Sequence, residues 1–197
     1  MAFKYAIALT GGIATGKSSV LEIFSLYGFD FIDADKVAHE ILDEQADTIA
    51  KMFGTHLVKG SKVDRKALGS IIFADATKRS ALESLLHPLI YDEIEKQAIV
   101  LDALEKPYMV DIPLFFEGGR YPIERTLVVY ASREQQLERL MQRDGYSKVE
   151  ALNRIASQMD IEAKRKRAKY VIDNSGDLKQ LGHECKRIKD DLEKEFG

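Results

Sequence analysis

Cysteine is nearly missing from this sequence: Cys185 is the single one in 197 residues. A lone cysteine closes no internal disulfide, which excludes a disulfide-stapled scaffold and fits a reducing compartment, so a cytoplasmic location is expected. Proline is scarce, at four residues, and no repeat or low-complexity tract is visible, which excludes collagen-like and silk-like chains. No apolar run approaches the roughly 20 residues of a membrane helix. The apolar stretch near the start is too short and strand-like for a signal peptide, and no small-residue cleavage pattern follows it. No membrane partner is therefore expected. A large charge of one sign is lacking too: 29 Lys and Arg against 32 Asp and Glu leave a formal −3, a poor match to a nucleic-acid coat. The four histidines show none of the paired spacings of a structural zinc site. What is present is a 45% hydrophobic composition, which excludes disorder and suffices for the core of one domain, with or without an insert.

Apolar runs and helical periods alternate along the chain. Residues 5–9, 29–32, 108–112, 126–131 and 170–172 read as buried strands. Helical stretches lie between and after them, at 17–27, 133–144, 148–159 and 177–195, the first with Val20, Leu21, Phe24 and Leu26 turned inward until Gly28 stops it. This alternation predicts an α/β fold, a five-stranded parallel sheet with helices on both faces. The stretch 35–105 reads differently. It has a helix at 35–53, a loop or small hairpin at 54–63, a short helix at 64–73, and a long helical period at 77–105 in which Pro88 should kink or break the helix. That is too long for one crossover, so it is expected as a helical insert forming its own lobe, leaving roughly 1–34 and 106–197 as the core.

The chemistry starts at Gly11-Gly12-Ile13-Ala14-Thr15-Gly16-Lys17-Ser18, which fits the phosphate-loop pattern G-x-x-x-x-G-K-[ST] and sits where the pattern requires, between a buried strand and an amphipathic helix. Loop amides and the helix N-terminus point at one volume and hold phosphate oxygens. Lys17 would bridge the β- and γ-phosphates, Ser18 would ligate Mg²⁺, and Ser19 would reach the α-phosphate. ATP with Mg²⁺ is the expected co-substrate.

The loop leaves the acceptor open among a small-molecule kinase, a GTPase switch and a motor or transporter ATPase. The third strand ends in Asp111-Ile112-Pro113-Leu114 and lacks the glycine of a GTPase D-x-x-G. Ser61-Lys62-Val63-Asp64 lies too early to read a guanine, and no Leu-Ser-Gly-Gly transporter signature occurs. A kinase needs an acid at the end of the second strand, and Asp33 is there, able to accept the proton of an acceptor hydroxyl. Asp35, two residues on, faces the same side if the chain is extended, or caps the next helix. Arg139 and Arg143, four apart on one helix, suit a closing lid at about 139–168 that neutralises the moving phosphoryl group; their alternative is a solvated face paired to Glu134 and Glu138. Asp111 suits a Mg²⁺-bound water, or a strand-end hydrogen bond. The basic run Lys164-Arg165-Lys166-Arg167 reads as a solvated face with one or two residues reaching an anionic ligand. Nucleic acid is not an expected partner.

Several segments together resemble the dephospho-CoA kinases: the Thr10–Ser19 loop, Phe31-Ile-Asp-Ala-Asp, Leu86-His-Pro-Leu-Ile, Asp111-Ile-Pro-Leu-Phe-Phe-Glu, Gln136-Leu-Glu-Arg-Leu-Met-Gln-Arg-Asp and Tyr170-Val-Ile-Asp-Asn-Ser-Gly, in family order. The resemblance implies a P-loop kinase fold with a helical substrate lobe and a helical lid. It implies transfer of the ATP γ-phosphate to the 3′-hydroxyl of the ribose of dephospho-CoA. It also implies Asp33 as the base, an acceptor site lined by His87 and by Pro113, Leu114, Phe115 and Phe116, lid arginines Arg139 and Arg143, and Asn174 near the adenine. From the residues alone His87 has a rival role as a hydrogen-bonded core histidine. Two departures stand out: Ala14-Thr15 where the family most often has Gly-Ser, and Ala168-Lys169-Tyr170 where it commonly has Ala-Asp-Tyr. Another small-molecule or nucleotide kinase, and a nucleotide-binding switch, remain as alternatives; a monomer or weak homo-oligomer is expected.

Overall fold

A computed structural model describes residues 2–197. In chain order the elements are β1 (Ala6–Gly11), α1 (Lys17–Leu26), β2 (Phe31–Asp33), α2 (Ala34–Glu44), α3 (Ala46–Phe53), β3 (Val58–Lys59), β4 (Lys62–Val63), α4 (Arg65–Ala74), α5 (Ala76–Asp102) and β5 (Tyr108–Asp111). Then follow α6 (Phe115–Gly118), β6 (Arg125–Tyr130), α7 (Arg133–Asp144), α8 (Lys148–Ala156), α9 (Ile161–Arg167), β7 (Tyr170–Asp173) and α10 (Leu178–Phe196). They form two compact units: the chain up to Ile32 with Ala98–Gly197, and Asp33–Gln97.

The first unit is built on a five-stranded parallel sheet of order β2-β5-β1-β6-β7. β1 lies at its centre, paired with β5 so that Leu9 faces Asp111, and with β6 so that Gly11 faces Val129. A central strand is covered on both faces, which is why Ala6–Leu9 is uniformly apolar and wholly buried. Alternation along β6 then divides the core. Leu127 and Val129 pack with Val20 and Phe24 of α1 and with Leu181, Cys185, Ile188 and Leu192 of α10. Val128 and Tyr130 turn to the opposite face and meet Ile161 of α9. Each fully buried Leu or Ile of this kind contributes about 1.5–3 kcal/mol. Burial also pushes the Cys185 thiol up to about 11, with Glu184 adding to the effect, so the lone cysteine is an inert core residue.

In the second unit, Val37, Ile41 and Leu42 of α2, Ile49 of α3, Leu68 of α4 and Leu82, Leu86 and Ile94 of α5 are buried. The antiparallel β3–β4 hairpin pairs Val58 with Val63. The Asp43 carboxylate ties α2 to it by accepting the Val63 N–H at 3.0 Å and pairing with Arg65 at 3.6 Å.

Several local expectations are corrected. Leu26 is 86% exposed rather than inward, because α1 ends there. The helix expected over 35–53 is two helices broken at Gln45, a break the continuous apolar period does not mark. Of the kink or break expected at Pro88, the break does not occur: α5 runs through it as one helix. Interior proline costs about 3 kcal/mol, and the burial of Leu82 and Leu86 before it and of Ile94 after it works against that loss. The helix expected over 148–159 ends at Ala156, and a separate α9 follows, capped by Asp160, which accepts the Glu162 and Ala163 N–H groups. Among the described residues no helix is long and apolar enough to cross a membrane.

Candidate active site

Between β1 and α1 the chain makes the phosphate-binding loop, and its carbonyls are held from outside. The Gly11 carbonyl accepts from Lys164 Nζ at 2.9 Å and the Gly12 carbonyl from the Thr15 hydroxyl at 2.9 Å. Gln136 Nε2 donates to the Ile13 carbonyl at 2.7 Å, and Asn174 Nδ2 to the Thr15 carbonyl at 2.8 Å. The Ser19 N–H donates back to the Gly16 carbonyl at 3.1 Å in the first turn of α1. Its N-cap, Gly16, provides no side-chain cap, so the orphan N–H groups of the first turn carry the positive end of the helix dipole unshielded. Gly16 has φ +90°, and a Cβ there would lie 2.1 Å from Asn174 Nδ2; a Cβ on Gly12 would lie 2.3 Å from Gln136 Nε2. Both glycines are therefore demanded by close approach of the amides that hold the loop. Of the departures from the family's Gly-Ser, Ala14 takes φ +59°, a left-handed backbone that costs an alanine about 1–2 kcal/mol, and Thr15 supplies the internal hydroxyl bond.

Lys17 forms an ion pair with Asp111, the last residue of β5. The sheet register, with Leu9 opposite Asp111, brings the carboxylate to the edge where the loop begins. Beside the loop lies a cleft of about 780 Å³ lined by Ala14, Gly16, Ser18, Ser19, Arg139, Arg143, Asn174 and Leu178, among others. Arg139 is fixed by one bond, Nη2 to the Asn174 carbonyl at 2.8 Å, and not by Glu134 or Glu138. Its Nη1 is, among the described residues, the one buried side-chain nitrogen or oxygen with no partner. A buried guanidinium N–H left unpaired is costly, and an anion reaching it would satisfy it. Arg143 also lines the cleft, bidentate to Asp144 at 2.8 and 2.9 Å, which raises its already high pKa against the opposing effect of burial.

Other expected residues are placed as follows. Asp33 ends β2 and is the N-cap of α2, accepting the Lys36 N–H at 2.9 Å. Asp35 sits in the first turn of that helix, so it neither caps it nor follows strand alternation with Asp33. His87 is half-buried within α5, which it does not break. Of the segment after β5, Phe115 is buried in α6, Leu114 is 48% exposed, and the Pro113 carbonyl accepts from Thr10 Oγ1 at 2.9 Å. Lys169 donates to Glu195 at 2.6 Å, a contact at the far end of α10 that accounts for a lysine there.

Three residues that hold the loop escape the sequence reading. Gln136 shares the inner face of α7 with Leu140, and a glutamine on an apolar face is a signal that could have found it. Gln158, whose Oε1 accepts the Ile13 N–H at 2.8 Å, lies in a linker with no such signal. Lys164 is no part of a solvated face: it is fully buried, on the side of α9 that Ile161 marks.

The sequence model of the dephospho-CoA kinase family matches residues 5–180. A dephospho-CoA kinase of Sulfurimonas denitrificans is 52% identical over all of this chain and 98% of its own length, and one of Helicobacter pylori is 47% identical over 95% of this chain and 97% of its own. Among solved structures, the dephospho-CoA kinase of Campylobacter jejuni superposes with a TM-score of 0.72 at 38% identity, covering 97% of this chain and 98% of that one. The Thermus thermophilus protein TT1252 superposes with a TM-score of 0.80 at 34% identity, covering 95% and 97%. Matched by the family model over residues 5–180 and by these relatives over nearly its whole length, the chain belongs to the dephospho-CoA kinase family.

Proposed function

We propose that the protein transfers the γ-phosphoryl group of ATP to the 3′-hydroxyl of the ribose of dephospho-CoA, releasing CoA and ADP, the last step of coenzyme A synthesis. The donor half is carried by one observation: the unpartnered, buried Nη1 of Arg139 lines the same cleft as the uncapped first turn of α1. The acceptor half rests on family membership.

In this reading the loop amides and Lys17 take the triphosphate, and Lys17 exchanges Asp111 for the β- and γ-phosphate oxygens. Arg139 reaches the phosphates with its free nitrogen. Arg143 leaves Asp144 to join it as the α7–α9 lid closes, which excludes water from the transferring group. Beyond Asn174, exposed Leu178 offers an apolar shelf to the adenine. Asp33 accepts the proton of the 3′-hydroxyl; its hydrogen bond to the start of α2 fixes the carboxylate. Asp35, His87 and the Pro113–Phe115 segment contact the acceptor. The hard oxygen donors Ser18 and Asp111 suit Mg²⁺, which needs few protein ligands when phosphates supply the rest. Bound there, Mg²⁺ neutralises charge on the phosphate oxygens. The protein works in the cytoplasm, as a monomer or weak homo-oligomer.

The test is ADP release with Mg-ATP in the presence of dephospho-CoA, adenosine, pantetheine or nucleoside monophosphates. Strong stimulation by dephospho-CoA alone, with CoA as product, is expected. Stimulation by a nucleotide instead overturns the acceptor, and release with no acceptor moves the protein to the switch class.

A further inference from the structure

Lys164 is a charged side chain with no solvent contact. Its ammonium has three protons and meets three acceptors: the Gly11 carbonyl at 2.9 Å, the Pro113 carbonyl at 3.1 Å and the Glu117 carboxylate at 2.9 Å. These come from three segments, the start of the phosphate-binding loop, the turn after β5, and α6. Burying an ammonium costs several kcal/mol, and an apolar residue of similar volume often serves stability as well. Folding alone therefore gives little reason for a lysine at this point, and its partners suggest another. Without a cation, two carbonyl dipoles and a carboxylate would converge on one buried spot and repel one another.

The surrounding segment is bolted to two of these three, the loop and α6. The Ile13 N–H donates to Gln158 Oε1 at 2.8 Å, and the Met159 N–H to Glu117 Oε1 at 2.9 Å. Burial opposes the charge of Glu117, but the Lys164 ammonium and the Met159 amide outweigh it and lower its pKa. The peptide unit is planar, so fixing the Gly11 carbonyl also fixes the direction of the Gly12 N–H on its other side.

We propose that Lys164 is a positioning residue for phosphoryl transfer: it locks the first peptide of the phosphate-binding loop against the turn after β5, so that the loop keeps one shape while ATP reacts. This rests on the reading of that loop as the ATP site. Lys164 touches no substrate; it acts through Gly11 and Pro113.

The experiment compares wild type with Lys164→Met, which keeps the length and burial of the side chain but removes the cation. Folding is followed by circular dichroism and melting, ATP stoichiometry and affinity by calorimetry, and kcat and KM by CoA formation well below the melting temperature. Lys164→Met is expected to bind one ATP per folded chain about 10-fold more weakly and to lose about 100-fold in kcat at saturation, because a mispositioned reacting group costs about that much. A lower melting temperature with kcat and KM unchanged would overturn the proposal and leave Lys164 purely structural. Should Lys164→Met not fold, Glu117→Gln decides. It keeps Lys164 and weakens one of its three anchors, so a several-fold fall in kcat per bound ATP supports positioning and an unchanged kcat overturns it. Wild type that neither binds ATP nor makes CoA would instead defeat the functional reading itself, an outcome separate from either variant.

Discussion

Gly16→Ala adds one methyl group at a backbone conformation and a contact that both oppose it. With φ +90° and ψ 24° the residue is left-handed, which costs an L-residue about 1–2 kcal/mol. The new Cβ would lie 2.1 Å from Asn174 Nδ2, so the amide must swing away and give up its buried bond to the Thr15 carbonyl. Stranding that acceptor costs about 1–3 kcal/mol. The structure contains its own control. Gly28 has φ +81° with nothing within 4 Å of a Cβ, so Gly28→Ala carries the backbone cost alone. At about 2–4 °C per kcal/mol for a chain of this size, Gly16→Ala should melt about 2–12 °C below Gly28→Ala. Its ATP affinity should also fall, because the Thr15 carbonyl is no longer held outward, whereas Gly28→Ala should bind ATP as wild type does. Calorimetric melting of the two variants, of Asn174→Ala and of Gly16→Ala/Asn174→Ala measures the difference. The second alanine removes the clashing amide, so the pair should be markedly less than additive. Equal melting temperatures for the two single variants, with equal ATP affinity, would refute the claim that Asn174 shapes the loop.

Asp33→Asn should lower kcat by about 100-fold or more with ATP affinity unchanged, and asparagine caps a helix as well as aspartate does, so the melting temperature should barely move; unchanged turnover removes Asp33 as the base. Lys17→Ala should weaken ATP binding in calorimetry and abolish CoA formation, since it deletes the cation that meets the phosphates; full activity would count against the loop as the ATP site. At Glu195, burial disfavours the charge but Lys169, Tyr170 and Arg125 outweigh it and hold the pKa down at about 2, from an ordinary 4.5. Stability from this cluster is thus complete above about pH 4.5 and lost as pH falls toward 2. Glu195→Gln should lower the melting temperature at pH 7 by about 2–4 °C, the equivalent of about 1 kcal/mol after solvent screening, with the gap closing near pH 2 and kcat unaffected.

The sheet was legible because its strands are buried on both faces. Ala6–Leu9, Tyr108–Val110 and Leu127–Val129 have no solvent side to interrupt the apolar run, so each stands out against the charged helices around it. α10 was equally plain, with Leu181, Cys185, Ile188 and Leu192 on one stripe. Breaks inside helical stretches were not legible. The period of buried residues continues across Gln45, and at Pro88 a strong local breaker is overruled by residues buried on both sides of it. The α8–α9 boundary hid for another reason: the seven residues of α9 hold four Lys and Arg, which masks the single apolar anchor Ile161.

The same contrast runs through the site. Gly11, Gly16, Lys17 and Asp33 were legible because their chemistry restricts both residue type and spacing. The residues that shape the loop are chosen only for reach. An amide at 136, 158 or 174, or an ammonium at 164, bonds a loop carbonyl or N–H from whichever element lies behind it, so none has a fixed distance in sequence from Lys17. What betrays them is burial that their composition does not explain. Gln136 is 2% exposed on a helix of charged residues, and Lys164 is 0% exposed within a basic run. A buried polar side chain must be paired, and these two are paired to Ile13 and Gly11. The phosphate-loop motif is therefore written in the sequence, while the side chains that hold its loop become visible only once the chain is folded.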